Sequence, residues 1–317
     1  MKILVTGGAG YVGTQLVSEL LGAGHKIIVL DECWFGNYLP NSKNLKLIKG
    51  DIRDKELVNN LDDEIEIIYH LANIANDPSG LIDSKLTWET NVLATKFLIE
   101  WAIEINVSKF IYASSGSVYG VKEEENVTED LPLEPISDYN KTKMISERVL
   151  LSYINQIPIY ILRPATICGF SPRMRLDLTV NILTFHALNF GVINVFGGDQ
   201  IRPNINIKDM ISVYKHFLCS EIESGIYNVG FENLSVKSIA HIISEKFNVP
   251  INFSDSNDPR SYRLNSDKLL STGFIPKFSV NDAIEEVNFM FRKNLIRDDD
   301  VNYNVRTMDI LKKEGII

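Results

Sequence analysis

The sequence predicts an α/β protein with a doubly wound parallel sheet and a smaller mixed α/β lobe. Three observations predict this class. Strand and helix patterns alternate regularly over about the first 165 residues, a glycine-rich loop joins the first strand to the first helix, and the alternation loosens after about Pro164. Regular β–α alternation requires crossover connections, which give parallel strands with helices on both faces of the sheet. Ligands of such sheets bind at the carboxyl ends of the strands.

The elements of the first half follow from its hydrophobic periodicity. Short β-branched runs predict strands at residues 3–5, 26–30, 45–48, 65–69, 110–113 and 158–162. Helical spacing of apolar residues predicts helices at residues 11–21, 54–61, 88–105 and 139–154.

The second half shows a less regular pattern. Helices are predicted near residues 178–189, 208–220, 236–247 and 280–293, and short strands at 193–196, 205–207 and 226–229. The chain is therefore divided into a dinucleotide-binding domain of residues 1–165, to which about 205–225 return, and a substrate-binding lobe. That lobe comprises about residues 166–204 and 226–317.

Bulk composition narrows the function classes. The 317 residues carry a net charge of −9, which argues against a nucleic-acid partner because such proteins present basic surfaces. The three cysteines are few and widely spaced, so neither a disulfide framework nor a metal site is expected. The first predicted strand leaves no room for a signal peptide, and no apolar run approaches the roughly 18 residues of a membrane span. We expect no membrane partner and a cytoplasmic location.

The loop at residues 7–13, with the sequence GGAGYVG, predicts a dinucleotide site. Gly7 permits the tight turn after the strand, Gly10 lets the backbone approach a pyrophosphate, and Gly13 lets the helix pack closely on the strand. The helix N-terminus offers free N–H groups and a positive dipole end to the phosphates. The loop follows a strand and opens a helix, which is the context that this motif requires.

Two aspartates after the next strands indicate which dinucleotide binds and how its adenosine is held. Asp31 ends the second strand, where a carboxylate accepts hydrogen bonds from both adenosine ribose hydroxyls and repels the extra phosphate of NADP, so NAD is predicted. Asp51 follows the third strand. Its carboxylate is suited either to the adenine amino group or to capping the next helix, and the sequence leaves both open.

Tyr139 and Lys143 carry the predicted chemistry, because a spacing of four places both on one helix face. Free tyrosine has a pKa near 10, and a nearby ammonium together with a positive nicotinamide ring would lower it. The alternative is that Lys143 pairs with Glu147 on the surface. Ser115 follows the fifth strand and can bridge the substrate oxygen and the tyrosine oxygen, with Ser114 as the alternative.

These motifs together resemble the extended short-chain dehydrogenase/reductase family over nearly the whole chain. The matching segments are residues 6–13, 31, 50–52, 70–72, 91, 114–120, 139 with 143, and 162–164. The resemblance implies a Rossmann-type domain, tightly held NAD, a nucleotide-diphosphate sugar as substrate, and a homodimer through helices near residues 91–105 and 140–155. It implies Ser115, Tyr139 and Lys143 as the catalytic set. The implied cofactor-binding residues are Gly7, Gly10, Tyr11, Val12, Gly13, Asp31, Asp51, Ile52, Leu71, Ala72, Asn91, Ser114, Tyr139, Lys143 and Pro164.

Within this family the chain is most similar to nucleotide-sugar 4-epimerases. The likeness implies that Tyr139 takes the proton of the sugar C4 hydroxyl while NAD takes the hydride, and that the keto sugar turns over before the hydride returns. The implied substrate-binding residues are Ser115, Thr166, Arg173, Arg175, Asn181, Arg202 and Arg260. Arginine suits phosphate oxygens, although exposed arginines are more often only solvated.

Departures from the family pattern narrow the set of reactions that the resemblance allows. Gly116 and Ser117 stand where sugar 4,6-dehydratases usually carry acidic residues, so dehydration is disfavoured. Thr166 stands where UDP-galactose epimerases commonly have asparagine, and residues 171–177 also differ from that enzyme, which places UDP-galactose in doubt. The alternatives are a nucleotide-sugar C4 dehydrogenase or ketoreductase, then a 4,6-dehydratase, which the residues after Ser115 disfavour, and, in another class, a non-catalytic NAD-binding regulator.

Overall fold

The computed structural model describes residues 1–255 and 261–317, in which twelve strands and twelve α-helices are found. The strands are β1 (Lys2–Thr6), β2 (Lys26–Asp31), β3 (Leu45–Lys49), β4 (Ile67–His70), β5 (Lys109–Ala113), β6 (Ile159–Pro164), β7 (Thr166–Cys168), β8 (Ile193–Phe196), β9 (Ile201–Asn206), β10 (Gly225–Val229), β11 (Glu232–Ser235) and β12 (Ile251–Ser254).

The helices lie between these strands and at the C-terminal end. They are α1 (Tyr11–Gly22), α2 (Lys55–Asn59), α3 (Asp77–Ile82), α4 (Ser84–Trp88), α5 (Ala94–Glu104), α6 (Asp138–Leu151), α7 (Thr179–Phe190), α8 (Ile207–Cys219), α9 (Val236–Phe247), α10 (Asp267–Leu270), α11 (Val280–Arg292) and α12 (Asn304–Lys313). One π-helical turn, Glu89–Leu93, joins α4 to α5. Within the described ranges, no helix is both long and apolar enough to cross a membrane.

Seven parallel strands form the main sheet, in the order β10-β6-β5-β4-β1-β2-β3. One hydrophobic cluster includes Leu16 of α1 and Phe217 of α8, and another includes Leu98 of α5 and Leu150 of α6. The odd and even residues of β1 divide between these clusters, because successive side chains of a strand point to opposite faces. The sheet is thus covered on both sides, and the predicted fold class is confirmed.

The second lobe is built from two small sheets and the helices packed on them. β9 lies between β7, to which it is parallel, and β11, to which it is antiparallel, while β8 pairs in parallel with β12. A separate cluster of apolar side chains from α7, α9 and α11 packs on these sheets. The predicted boundaries between domain and lobe stay a prediction. The sequence assigns about residues 205–225 to the first domain and residues from about 226 to the lobe. The structure instead places β10 (Gly225–Val229) in the main sheet of the first domain.

Several short elements were not predicted, namely β7, β11, β12, α3, α10 and α12. Each has ten residues or fewer, and such a short segment contains too few apolar positions to show the hydrophobic periodicity of a helix or strand. The single helix predicted at 88–105 begins earlier, at Ser84, and contains the π-helical turn. The strand predicted at 205–207 is longer and begins at Ile201.

Candidate active site

A cavity of about 520 Å³ lies where the carboxyl ends of β1, β2, β4, β5 and β6 meet the second lobe. This volume is within the range of small-molecule sites. Most residues predicted from the sequence line it: Gly7, Gly10, Tyr11, Val12, Gly13, Asp31, Asp51, Ile52, Leu71, Ala72, Ser114, Ser115, Tyr139, Lys143, Pro164, Thr166, Arg173, Arg175 and Arg202. The chain therefore brings the expected dinucleotide loop and the expected catalytic set into one cavity.

The glycine loop has the geometry of an anion cradle. Gly7 has a φ of +71°, and a Cβ there would lie 2.5 Å from Ala72 N. A Cβ on Gly13 would lie 2.4 Å from the Gly7 carbonyl oxygen, so close packing excludes any side chain. At Gly10 a Cβ would meet only that same oxygen, at 3.1 Å, and would otherwise fill the cavity.

Gly10 is also the N-cap of α1, and no side chain caps this helix. The first N–H groups of α1 are thus available to an anion, reinforced by the helix dipole. Together with the Cβ-free surface at Gly10, this fits the pyrophosphate of NAD.

Asp31 is oriented by the backbone around it. Its two carboxylate oxygens accept hydrogen bonds from Ala9 N at 2.9 Å and Cys33 N at 2.7 Å. Burial raises the pKa of this carboxyl, and the two backbone donors and the charge of Arg173 oppose that shift. A held carboxylate at the end of β2 fits the ribose hydroxyls of an adenosine.

Asp51 lines the cavity but does not cap the next helix. The N-cap of α2 is Asp54, whose side chain accepts from Leu57 N. The carboxylate of Asp51 instead binds Arg53, through Nε at 2.8 Å and Nη2 at 2.6 Å. The capping alternative for Asp51 is therefore wrong, because the cap lies three residues further on.

Tyr139 stands in the first turn of α6, which begins after Ser137 because the Ser137 hydroxyl accepts from Asn140 N. Burial raises the pKa of Tyr139 to about 12, and a hydrogen bond with Ser115 is the strongest opposing influence. Asp77 raises this pKa further, whereas Arg175 lowers it. The sequence led us to expect that Lys143, together with a positive nicotinamide ring, lowers the pKa of Tyr139. In the protein without a bound nucleotide, burial instead outweighs the positive charge nearby, which comes from Arg175.

Ser115 belongs to a short chain of hydroxyl groups. Its Oγ lies 2.8 Å from Ser117 Oγ, and Ser117 Oγ donates to Asn140 Oδ1 at 2.5 Å. Because Asn140 Oδ1 only accepts, the Ser117 oxygen is free to accept the Ser115 proton. Ser117, which the sequence had singled out only as lacking a carboxylate, thus sets how Ser115 is oriented toward Tyr139.

Lys143 is buried, with its Nζ donating to the Ala113 carbonyl at 2.7 Å and lying 4.7 Å from the Tyr112 ring centroid. The surface pairing with Glu147 is therefore wrong. Burial lowers the pKa of Lys143 to about 7, and the charge of Glu147 opposes this.

Glu147 is engaged by the strand beside it. Its carboxylate forms a buried ion pair with Arg163, with Nη2 to Oε2 at 2.6 Å and Nε to Oε1 at 3.0 Å. The Ser114 hydroxyl also donates to Glu147. Because Ser114 is directed to this carboxylate, the geometry favours Ser115 over Ser114 as the hydroxyl beside Tyr139.

The loop between β7 and α7 brings both predicted arginines to the cavity. Arg175 makes a bidentate pair with Asp177, with both distances 2.9 Å, and Asp177 also accepts from Asn76 Nδ2. The charge of Arg175 lowers the pKa of Tyr139.

Two predicted residues, Asn91 and Asn181, are not part of the cavity wall. Asn91 accepts from Ile74 N at 2.8 Å and thereby fixes the segment after β4. Asn181 accepts from Gly169 N at 2.9 Å and donates to the Tyr11 hydroxyl, so it joins the two lobes. Arg260 lies outside the described residues.

The sequence missed part of the wall. Trp34 and Phe35 follow β2, Tyr262 comes from the second lobe, and Asn304 and Met308 come from α12. The apolar pair after Asp31 was a local signal for the first two. No motif marked the others, because their position depends on packing between distant segments. Within the described ranges, no cluster of three or more His, Cys, Asp or Glu suits a metal ion.

Comparison with characterised proteins gives close relatives over most of the chain. A UDP-glucose 4-epimerase from Lactobacillus helveticus is 28% identical over 315 residues, covering 90% of this chain and 95% of that protein. A dTDP-D-glucose 4,6-dehydratase from Dictyostelium discoideum is 27% identical over 380 residues, covering 99% of this chain and 86% of its own.

Solved structures agree with the fold. The UDP-glucuronic acid 4-epimerase from Bacillus cereus, in complex with UDP-glucuronic acid and NAD, superposes with a TM-score of 0.82 and 28% identity. The match covers 92% of this chain and the whole of that one. The family model for NAD-dependent epimerases and dehydratases matches residues 3–230, in agreement with NAD as the predicted cofactor. The chain therefore belongs to the NAD-dependent epimerase/dehydratase family.

Proposed function

We propose that this protein is an NAD-dependent nucleotide-sugar 4-epimerase. One observation carries the proposal: Ser115, Tyr139 and Lys143 line the same cavity as the glycine loop and Asp31. The relatives named above act on UDP-glucose, dTDP-glucose and UDP-glucuronic acid, which supports a nucleotide-diphosphate sugar as the substrate class.

The chain's own residues divide the work between binding and proton transfer. The glycine loop and the α1 N-terminus hold the pyrophosphate of NAD, and Asp31 holds the adenosine ribose. When bound, NAD supplies the hydride acceptor for the alcohol carbon and carries a positive charge in its oxidised form. Arg202, which lines the cavity in the second lobe, is proposed to bind the substrate diphosphate.

Tyr139 is the proposed base for the C4 hydroxyl of the sugar. A tyrosine with a pKa of about 12 needs positive charge beside it in order to ionise at neutral pH. Arg175 already lowers the pKa of Tyr139, and the oxidised cofactor and the protonated form of Lys143 are proposed to add further positive charge. Ser115 bridges the sugar oxygen and the tyrosine oxygen, and Tyr139 later returns its proton to the alkoxide.

Epimerisation is favoured over dehydration by the residues after Ser115. Gly116 and Ser117 offer no carboxylate for chemistry at C5 and C6, and Ser117 is hydrogen-bonded to Asn140. The second candidate is a C4 dehydrogenase or ketoreductase, since the first half-reaction is shared and the fate of the keto sugar depends on how it turns in the cavity.

Incubation with UDP-, GDP-, CDP- and dTDP-sugars, with products identified by NMR, tests the proposal. An epimerase converts one sugar to its C4 epimer without added cofactor and retains NAD through purification. NADH accumulating in solution with a keto product would instead identify the dehydrogenase. Unchanged turnover in Tyr139→Phe would overturn the assignment of the base, and absence of turnover with every sugar in the wild type would favour a regulator.

We also propose a homodimer through the helices near residues 91–105 and 140–155. Leu93 in this region is 61% exposed in the single chain, although its neighbours on the helix are buried. Light scattering of the wild type beside Leu93→Asp would test the interface, with a monomeric variant expected.

A further inference from the structure

Arg173 differs from Arg175 because it is only 2% exposed and is paired with no carboxylate among residues 1–255 and 261–317. Its guanidinium lies over the Phe35 ring, 4.1 Å from the centroid, and Nη2 donates to Asn304 Oδ1 at 2.5 Å. Its Nε is buried and finds no acceptor within the part of the chain that the structure describes. A buried cation with an unused donor is costly unless a ligand completes its bonding.

The charges around Arg173 point to the adenosine half of the cavity. Arg173 and Asp31 influence each other's pKa without forming an ion pair. Burial lowers the pKa of Arg173 to about 9, with Arg175 lowering it and Asp177 and Asp31 opposing. Arg175, two residues away on the same loop, is instead paired with Asp177. The loop thus brings two guanidinium groups to the cavity wall.

The surroundings of Arg173 also include the C-terminal helix. Asn304 begins α12, and Met308 on the same helix packs with Ile74 and Leu86, against which Trp34 and Phe35 are packed. Asn304 and Met308 line the cavity beside Phe35. The helix therefore covers this end of the cavity and is joined to it through Arg173.

We propose that Arg173 binds a phosphate of the adenosine diphosphate half of NAD and fastens α12 over the cofactor. This assigns to the cofactor an arginine that the sequence assigned to the substrate. A planar guanidinium suits phosphate oxygens, and Asp31 occupies the ribose hydroxyls of the same half. The inference rests on the proposed function only in requiring NAD as the bound dinucleotide.

The test compares Arg173→Met, Arg173→Lys and Arg306→Met, each freed of nucleotide. Arg306 is a control because it is on α12 but is 48% exposed by side chain and pairs with Asp298 outside the cavity. Calorimetric titrations with NAD, ADP and adenosine are expected to show roughly tenfold or greater weakening for NAD and ADP in Arg173→Met, with adenosine unchanged. Arg173→Lys should lose less, because it keeps the charge, and Arg306→Met should match the wild type.

Hydrogen exchange provides the second readout. NAD should slow exchange of the α12 amides in the wild type and in Arg306→Met, but much less in Arg173→Met, while the amides of α9 serve as the reference. If Arg173→Met does not fold, Arg173→Lys and Asn304→Ala decide, the latter being expected to lose the protection of α12.

Two results would overturn the inference. They are unchanged NAD and ADP affinity in Arg173→Met, and a loss of adenosine affinity equal to the loss for NAD and ADP. None of these measurements involves turnover. A protein that binds NAD through Arg173 but epimerises no sugar would therefore refute the proposed function alone.

Discussion

Replacement of Lys143 by methionine should stabilise the nucleotide-free protein, and more so at neutral than at alkaline pH. Lys143 is 1% exposed, and burial lowers its pKa from 10.5 to about 7. The unfolded chain therefore binds more protons than the native one between these two values, and stability rises with pH across that window. The cost of burying the ammonium is complete below the folded pKa and vanishes above the unfolded pKa.

The magnitude follows from the size of the shift. A depression of 10.5 to about 7 corresponds to a cost of about 4 kcal/mol at neutral pH and about 2 kcal/mol at about pH 9. The advantage of Lys143→Met over the wild type should therefore shrink by about 2 kcal/mol over this interval. Alkaline conditions above the ordinary tyrosine pKa are avoided, because burial also raises the pKa of Tyr139 and stability falls as unfolded tyrosines ionise there.

Denaturant unfolding at a series of pH values measures this difference. Lys141→Met is the matched control, because Lys141 is on the same helix but its side chain is 47% exposed. Its Nζ lies 3.8 Å from Asp138 Oδ1, which makes a surface ion pair. The control should follow the wild type at every pH. Parallel pH profiles for Lys143→Met and the wild type would refute the argument that burial sets the Lys143 pKa.

Three further predictions concern the site. Tyr139→Phe should lower turnover by about 10²–10⁴-fold and leave NAD retention unchanged, as measured by NMR of products and by the nucleotide released on denaturation. Ser117→Ala removes the acceptor that competes with Tyr139 for the Ser115 proton, so Ser115 should stabilise the ionised Tyr139 better. The limb of the pH–rate profile on which the rate rises with pH should therefore move to a pH lower by about 0.5–1 unit. A move of this limb to higher pH would contradict the chain of hydroxyl groups. Gly13→Ala should unfold or strongly destabilise the protein, whereas Gly10→Ala should fold and bind NAD weakly; equal melting temperatures for the two would contradict the packing distances.

Local patterns were sufficient to predict the main sheet except for its edge strand β10, which was assigned to the second lobe. The glycine loop, Asp31 and Ser115 stand at the ends of predicted strands, and Tyr139 and Lys143 stand on a predicted helix; parallel strands bring their carboxyl ends to one edge. This part of the site is encoded by short segments whose relative placement the fold class fixes in advance.

The remaining site depends on contacts between distant segments. Arg173 and Asn304 are separated by 131 positions, and no periodicity relates them. Asn91 and Asn181 have the expected identities but bind backbone groups, because polar side chains near a cavity also satisfy the loops that form it. Spacing predicted that Tyr139 and Lys143 share a face, but the degree of burial that controls both pKa values arises only from tertiary packing.

A buried ion pair fixes the orientation of α6 behind the proposed catalytic residues. Glu147 is one turn beyond Lys143 on this helix, and it is held by Arg163 of β6 and by Ser114 at the end of β5. Rotation of α6 about its axis would separate a buried carboxylate from its guanidinium, which typically costs about 3–5 kcal/mol. Because residues four apart share a helix face, fixing Glu147 against the sheet also fixes Lys143 and Tyr139 toward it. The Arg163–Glu147 pair thus acts on the chemistry through geometry, since it sets the helix rotation that brings the Tyr139 hydroxyl to Ser115.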